Sequence, residues 1–231
     1  QKDFAWGTSS RSSKLIHGGL RYLKEGKFRL TKISVEEREY LLKHAPGLVE
    51  SIGFLLPVYE HRSPGKKALK IGLSLYDIMA RERQHQFLAT DHFAAKIPLI
   101  KTQGLKGGFL YYDAQVDDSR LVLRLLNESV DAGACALNYT AAEEILRNAD
   151  GHVVAVKAVD VETQESRILS TPAVINATGC WAEMLHPPSK SKRHLRPLRG
   201  SHLVFPASVL PVTQGFGFFH PADNRNLFIV P

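Results

Sequence analysis

Apolar positions recur at helical spacing in several stretches of the chain, and between them they alternate or run together as in strands. The spacing predicts helices over 34–44, 66–83 and from Asp117 or Asp118 to Ala132, with a shorter one over 91–96. Ser34 and Glu37 have the spacing of a capping box, and Pro46-Gly47 follows as a stop. In the second helix Ala68, Ile71, Leu75, Ile78 and Met79 form the apolar stripe, and in the third Leu121, Val122, Leu125, Leu126 and Val130 form a buried one. Gly133 sits where a left-handed residue closes a helix. Strands are expected over 54–59, with Pro57 at an edge or bulge, and over 109–113 and 137–139. A meander of 143–148, 152–160 and 166–170 turns first at Asp150-Gly151, a strong hairpin signal. The run Ala173-Val174-Ile175-Asn176 reads as a buried parallel strand, and 200–205, 214–219 and 227–230 as antiparallel strands. Residues 8–23 are expected to form one or two helical turns around Gly18-Gly19, and 187–197 a basic, proline-containing linker. Helices and parallel strands mixed with antiparallel ones predict an α/β protein with a discontinuous second domain.

Composition narrows this only a little. At 231 residues, 44% hydrophobic and 23% charged, the chain can bury a core and hold one large or two modest domains. A net charge of +7 suits an anionic small molecule, a membrane surface or nucleic acid. Nucleic acid is the weakest of the three, since no recognition helix, zinc finger or stacking platform is present. Cys135 and Cys180 have no framework or metal-ligand spacing and are expected to be buried free thiols in a reducing compartment. Asp113, Asp117 and Asp118 resemble a metal cluster only superficially; helix capping accounts for Asp117 or Asp118. Lys66, Lys67, Lys70, Arg81 and Arg83 make the 66–83 helix basic. That is usually the solvated face of a core-packing helix, and alternatively a contact for an anionic membrane.

The densest chemistry lies in Gly7-Thr8-Ser9-Ser10-Arg11-Ser12-Ser13-Lys14-Leu15-Ile16-His17-Gly18-Gly19-Leu20-Arg21-Tyr22-Leu23. Hydroxyls and bare backbone N–H groups donate to phosphate or polar ring edges, and a Gly-Gly pair lets backbone approach a flat ligand. Arg21 adds a permanently charged fork for phosphate or carboxylate. By composition alone a Ser-rich surface loop running into a helix explains the run equally well.

The order of these residues resembles the segment after the second Rossmann strand in FAD-dependent glycerol-3-phosphate dehydrogenases of the respiratory, quinone-linked kind. Three further stretches resemble the same family in the expected order. They are Tyr111-Tyr112-Asp113-Ala114-Gln115-Val116-Asp117-Asp118-Ser119-Arg120-Leu121, Val174-Ile175-Asn176-Ala177-Thr178-Gly179 and Arg199-Gly200-Ser201-His202-Leu203-Val204. Cys180 departs from the pattern, where the family often has proline. The resemblance implies an FAD-binding Rossmann-like domain over 1–45 and 114–186, and an antiparallel-sheet substrate domain over 46–113 and 187–231. It implies FAD contacts from Thr8, Ser9, Ser10, Ser13, Lys14, Leu15, His17, Gly18, Gly19, Ala177, Thr178 and Gly179. His202 would be the proton acceptor, Arg21 the phosphate or alkoxide partner and Tyr22 a substrate hydrogen-bond donor. It also implies oxidation of glycerol 3-phosphate, quinone as electron acceptor, and peripheral attachment to the inner face of the cell membrane, with a homodimer as one possible assembly. A glycerophosphate oxidase using oxygen, or a binding module without turnover, is the alternative. With no Gly-x-Gly-x-x-Gly in the sequence, the chain is expected to be an internal piece. Alone it would lack the first strand and Gly-rich turn, and is expected to be flavin-free and inactive.

Overall fold

A computed structural model describes residues 2–97, 99–185, 195–220, 222 and 225–231. In chain order its elements are β1 (Leu15–Ile16), α1 (Leu20–Lys24), α2 (Phe28–His44), β2 (Val49–Tyr59), α3 (Lys66–Ala80), β3 (Gln86–Leu88) and α4 (Thr90–Lys96). There follow β4 (Leu105–Val116), α5 (Asp118–Asp131), β5 (Thr140–Arg147), β6 (Val153–Asp160), β7 (Ser166–Ser170), β8 (Gly215–Phe219) and β9 (Asn226–Ile229). Single 3-10 helices occupy Thr8–Arg11 and Gly179–Leu185. The chain divides into two compact units, Gln1–Arg11 with Ser119–His202, and Ser12–Asp118 with Leu203–Pro231. Residues 12–45, assigned by resemblance to the FAD-binding part, therefore group with the large sheet.

The second unit is built on a sheet of order β1-β4-β2-β8-β9, with β3 also on β4. β2 and β4 are its antiparallel spine, in register from Val49↔Val116 to Tyr59↔Leu105. Alternation along them supplies both layers of the core. Phe54, Leu56, Val58, Phe109 and Tyr111 face α2 and α3 and pack with Val35, Leu69, Leu73 and Tyr76. Leu55 and Leu110 face the other way, toward Leu88, Phe93, Ile97 and Leu105. An apolar run such as Phe54-Leu55-Leu56 is what a strand covered on both faces requires. Pro57 lies at the break in register just before Tyr59, which agrees with the expected bulge. Phe93, wholly buried, fits only because Gly108 lies beneath it: a Cβ there would come within 2.1 Å of the ring. The first unit contains α5 and the antiparallel meander β5-β6-β7, in the expected order about the Asp150-Gly151 hairpin, with irregularities in the β5–β6 register at Ala142/Glu144 and Leu146/Arg147.

Several expectations need correction. The second helix of the chain, α2, begins at Phe28, so Ser34 lies inside it and no capping box forms. Phe28, Leu30 and Ile33 are exposed, and that outward apolar set hides the helical period of its first turns. In α3 the buried residues are Leu69, Leu73, Tyr76 and Asp77, whereas Ile71, Leu75 and Ile78 are exposed. Both faces of this helix are apolar, and the sheet takes the one bearing Tyr76. It ends at Ala80, where Arg81 takes the left-handed conformation. The stripe on α5 is not buried: Leu125 and Val130 are exposed and Leu121, Val122 and Leu126 half-buried. Gly133 does close α5, at φ 91°.

Residues 173–176 and 200–205 form no strand, and 137–139 contribute single backbone bonds only, Tyr139 N–H to Lys2 C=O at 3.1 Å among them. Each apolar run reads as a strand, but no described strand lies alongside it to share a ladder. Ile175 is accordingly 91% exposed. Cys135 and Cys180 are both exposed rather than buried, since neither packs into a core cluster. Most of the expected 187–197 linker lies outside the described residues.

Candidate active site

Inside the second unit a cavity of about 560 Å³ opens between the turn before α1, helix α3 and the sheet. Leu15, His17, Gly19, Tyr22 and Leu23 line one side, Ala68, Ile71 and Leu75 of α3 a second, and Phe54, Tyr111, Asp113 and Phe228 the floor. Most of this lining is aliphatic or aromatic. Asn226 also lines it, and its Oδ1 is buried with no donor among the described residues.

The backbone leading to the cavity is pinned at each step. Ser12 donates its hydroxyl to Asp118 and accepts the Lys14 N–H at 3.0 Å. Lys14 pairs with Asp117 at 3.1 Å, and its carbonyl accepts Val116 N–H at 2.9 Å. These contacts hold Lys14 in the left-handed conformation, φ 59°, which a non-glycine residue adopts only when its surroundings impose it. β1 then pairs Leu15 and Ile16 with Gln115 and Ala114. Gly18 and Gly19 are buried, and Gly19 turns the chain into α1 at φ 74°.

Behind that turn lies a polar cluster that the sequence reading does not contain. Asp113 Oδ1 accepts three donors: Gly18 N–H at 3.0 Å, Tyr76 Oη at 2.6 Å and Arg38 Nη1 at 2.7 Å. Arg38 also donates to the Tyr112 carbonyl at 3.1 Å and to Glu39 through Nε at 2.9 Å. Its side chain is 3% exposed and that of Asp113 4%. Burial by itself disfavours the Arg38 charge, but Tyr76, Asp113 and Glu39 outweigh it and raise its pKa. Burial, and then the charge of Asp113, push the Tyr76 phenol well above its ordinary range, so it remains a donor. A signal was present: an Asp inside the apolar strand of β4 demands a buried cation and further donors. What the sequence does not show is which of 30 Lys and Arg residues supplies it.

Of the residues named for the site, Leu15, His17, Gly19 and Tyr22 line one cavity, and Gly18 is bonded just behind it. Arg21 lies in α1, but its side chain is outside the described part of the structure. The first unit brings together two segments far apart in sequence. Trp6 stacks on Trp181 with ring centroids 6.3 Å apart, which sets the Thr8–Arg11 turn beside the one following Ala177-Thr178-Gly179. Ser10 and Arg11 bond back to Gly7 C=O, at 3.2 and 3.1 Å, while Thr8 is exposed and Ser9 half-buried. Thr178 donates its hydroxyl to Asn176 at 2.7 Å. His202 is exposed, outside any helix or strand, at the end of the first unit.

The profile of the family described as FAD dependent oxidoreductase matches residues 1–231. The chain belongs to that family. It is 36% identical over 235 residues to the aerobic glycerol-3-phosphate dehydrogenase of Bacillus subtilis, a match spanning 100% of the chain and 42% of the relative. The Staphylococcus aureus enzyme of the same name is 34% identical over the same span. In structure, the family member from Bacillus halodurans, a glycerol-3-phosphate dehydrogenase complexed with FAD, superposes with a TM-score of 0.73 at 29% identity. That match covers 100% of the chain and 39% of the other. The chain thus spans about two-fifths of the length of these relatives.

Proposed function

We propose that the chain is part of an FAD-dependent enzyme that oxidises glycerol 3-phosphate to dihydroxyacetone phosphate. The observation that carries this reading is the 36% identity to the Bacillus subtilis enzyme, sustained over the whole chain. The chemistry of the second unit suits the flavin: an apolar cavity, the bare backbone of Gly19 and the exposed His17 on its wall, and an Asn226 oxygen that lacks a donor among the described residues. Within that unit Ser13, Lys14, Leu15, His17, Gly18 and Gly19 would hold the cofactor. FAD, when bound, supplies the two-electron acceptor. The chain's own work is to bind and orient the substrate and to take its hydroxyl proton. Arg21 holds the phosphate, Tyr22 donates to a substrate oxygen, and His202 accepts the proton.

Anaerobic mixing of the full-length holoenzyme with glycerol 3-phosphate tests the reading: bleaching of the flavin band is the expected result, and its absence refutes it. Arg21→Ala should lower kcat/KM by roughly 100-fold, about 3 kcal/mol, and Arg21→Lys should recover only part of that. Unchanged kcat/KM in both variants would remove Arg21 from the pocket.

Electrons would pass on to quinone at a membrane surface, to which the enzyme attaches peripherally. Among the described residues no helix is long and apolar enough to cross a membrane. α3 carries Lys66, Lys67 and Lys70, and also the exposed Ile78, a combination suited to an anionic surface. Replacing the three lysines with Glu should weaken sedimentation with phosphatidylserine vesicles severalfold and leave turnover with a soluble acceptor intact. Equal binding would exclude this helix as the contact.

A further inference from the structure

The Asp113 cluster stands apart from everything assigned above. Its three donors come from three different parts of the second unit: the Gly18 turn, α2 through Arg38 and α3 through Tyr76. All three converge on one carboxylate oxygen of a central strand, and Arg38 Nη1 also reaches the Tyr76 hydroxyl at 2.9 Å. Asp113 itself forms part of the cavity wall. On its far side it borders a second, polar pocket with Arg38, Glu39, Lys43, Glu82 and Gln84. The carboxylate is thus a partition between the cavity and a solvent-facing pocket.

A buried ion pair is a poor way to gain stability, because apolar side chains of similar volume commonly do as well. What apolar side chains cannot do is fix the direction of a backbone N–H. Here the fixed group is Gly18 N–H, one residue before the left-handed Gly19 that sets the course of α1. Gly18 is also closed in at its α-carbon: a Cβ there would come within 2.2 Å of the Tyr76 hydroxyl and 2.5 Å of Val35. His17 before the turn and Tyr22 after it both line the cavity, so the bond to Asp113 acts on the turn that joins them, while β1 fixes the chain on the His17 side.

We infer that Asp113, held by Arg38 and Tyr76, is a positioning residue: it sets the Gly18-Gly19 turn, and through it His17 and Tyr22, against the reacting groups. The inference rests on the reading that this turn borders the flavin. Small displacements of such a segment reach the rate even where no reacting atom is touched.

The test uses full-length holoenzyme carrying Tyr76→Phe, which removes one donor without changing volume, and Asp113→Asn, which neutralises the carboxylate. Three readouts are compared with wild type: visible circular dichroism of the bound flavin, thermal midpoint, and kcat and KM for glycerol 3-phosphate per bound flavin. For Tyr76→Phe the expected result is an altered flavin dichroism and a kcat about 10-fold lower, with KM and thermal midpoint little moved. Asp113→Asn should show the same changes in dichroism and kcat, larger, together with a lower thermal midpoint, because it leaves the buried Arg38 charge without its partner. If Asp113→Asn does not fold, Tyr76→Phe decides alone. Lower thermal stability with wild-type dichroism and wild-type turnover per flavin would overturn the inference, leaving a merely structural cluster. Should wild-type flavin fail to bleach with glycerol 3-phosphate, the substrate reading falls. The dichroism still tests the positioning role, since it needs only bound flavin.

Discussion

Asp113→Ala is expected to lower folding stability by about 3–5 kcal/mol, the usual consequence of removing one partner from a buried ion pair. The substitution strands three donors at once: Gly18 N–H, the Tyr76 hydroxyl and one face of the Arg38 guanidinium. Glu39 still engages Arg38 through Nε, which places the expected loss nearer the lower figure. Denaturant unfolding of the full-length protein, followed by far-UV circular dichroism, measures it. A double variant, Arg38→Met with Asp113→Leu, should regain much of the loss, because it removes the charge and its partner together. A cost below about 1 kcal/mol for Asp113→Ala would mean that water reaches the cluster and compensates the donors.

His202→Asn carries the second large effect. If His202 accepts the hydroxyl proton, removing the base should slow flavin reduction by roughly 10²–10⁴-fold, the range typical of general-base catalysis. Asparagine keeps a polar side chain of similar breadth and cannot take the proton, so bound flavin should stay near wild-type content. A structural role for the exposed His202 is easy to recognise: it would move flavin content or stability and leave turnover per flavin unchanged. Flavin reduction at the wild-type rate in His202→Asn would end the base assignment.

Local order in the sequence determined more of this protein than its helices and strands. Within the run from Gly7 to Leu23, Leu15, His17, Gly19 and Tyr22 line one cavity. The meander turning at Asp150-Gly151, and the helix closed by Gly133, were legible because each is specified by neighbours within a few residues. Patterns whose meaning depends on a distant partner were not. Ala173-Val174-Ile175-Asn176 and 200–205 have strand composition, but a strand exists only where another lies beside it, and none does among the described residues. The apolar residues of α3 fall on two faces, and only the sheet decides that Leu69, Leu73 and Tyr76 go inward while Ile71 and Leu75 border a cavity. Arg38, Tyr76 and Asp113 stand 38, 37 and 75 residues from one another along the chain, and nothing near any of them marks it as one of a set. A buried carboxylate announces that it needs donors. Which donors reach it is a matter of how the chain returns on itself, and that was decided by the packing of two helices across one strand.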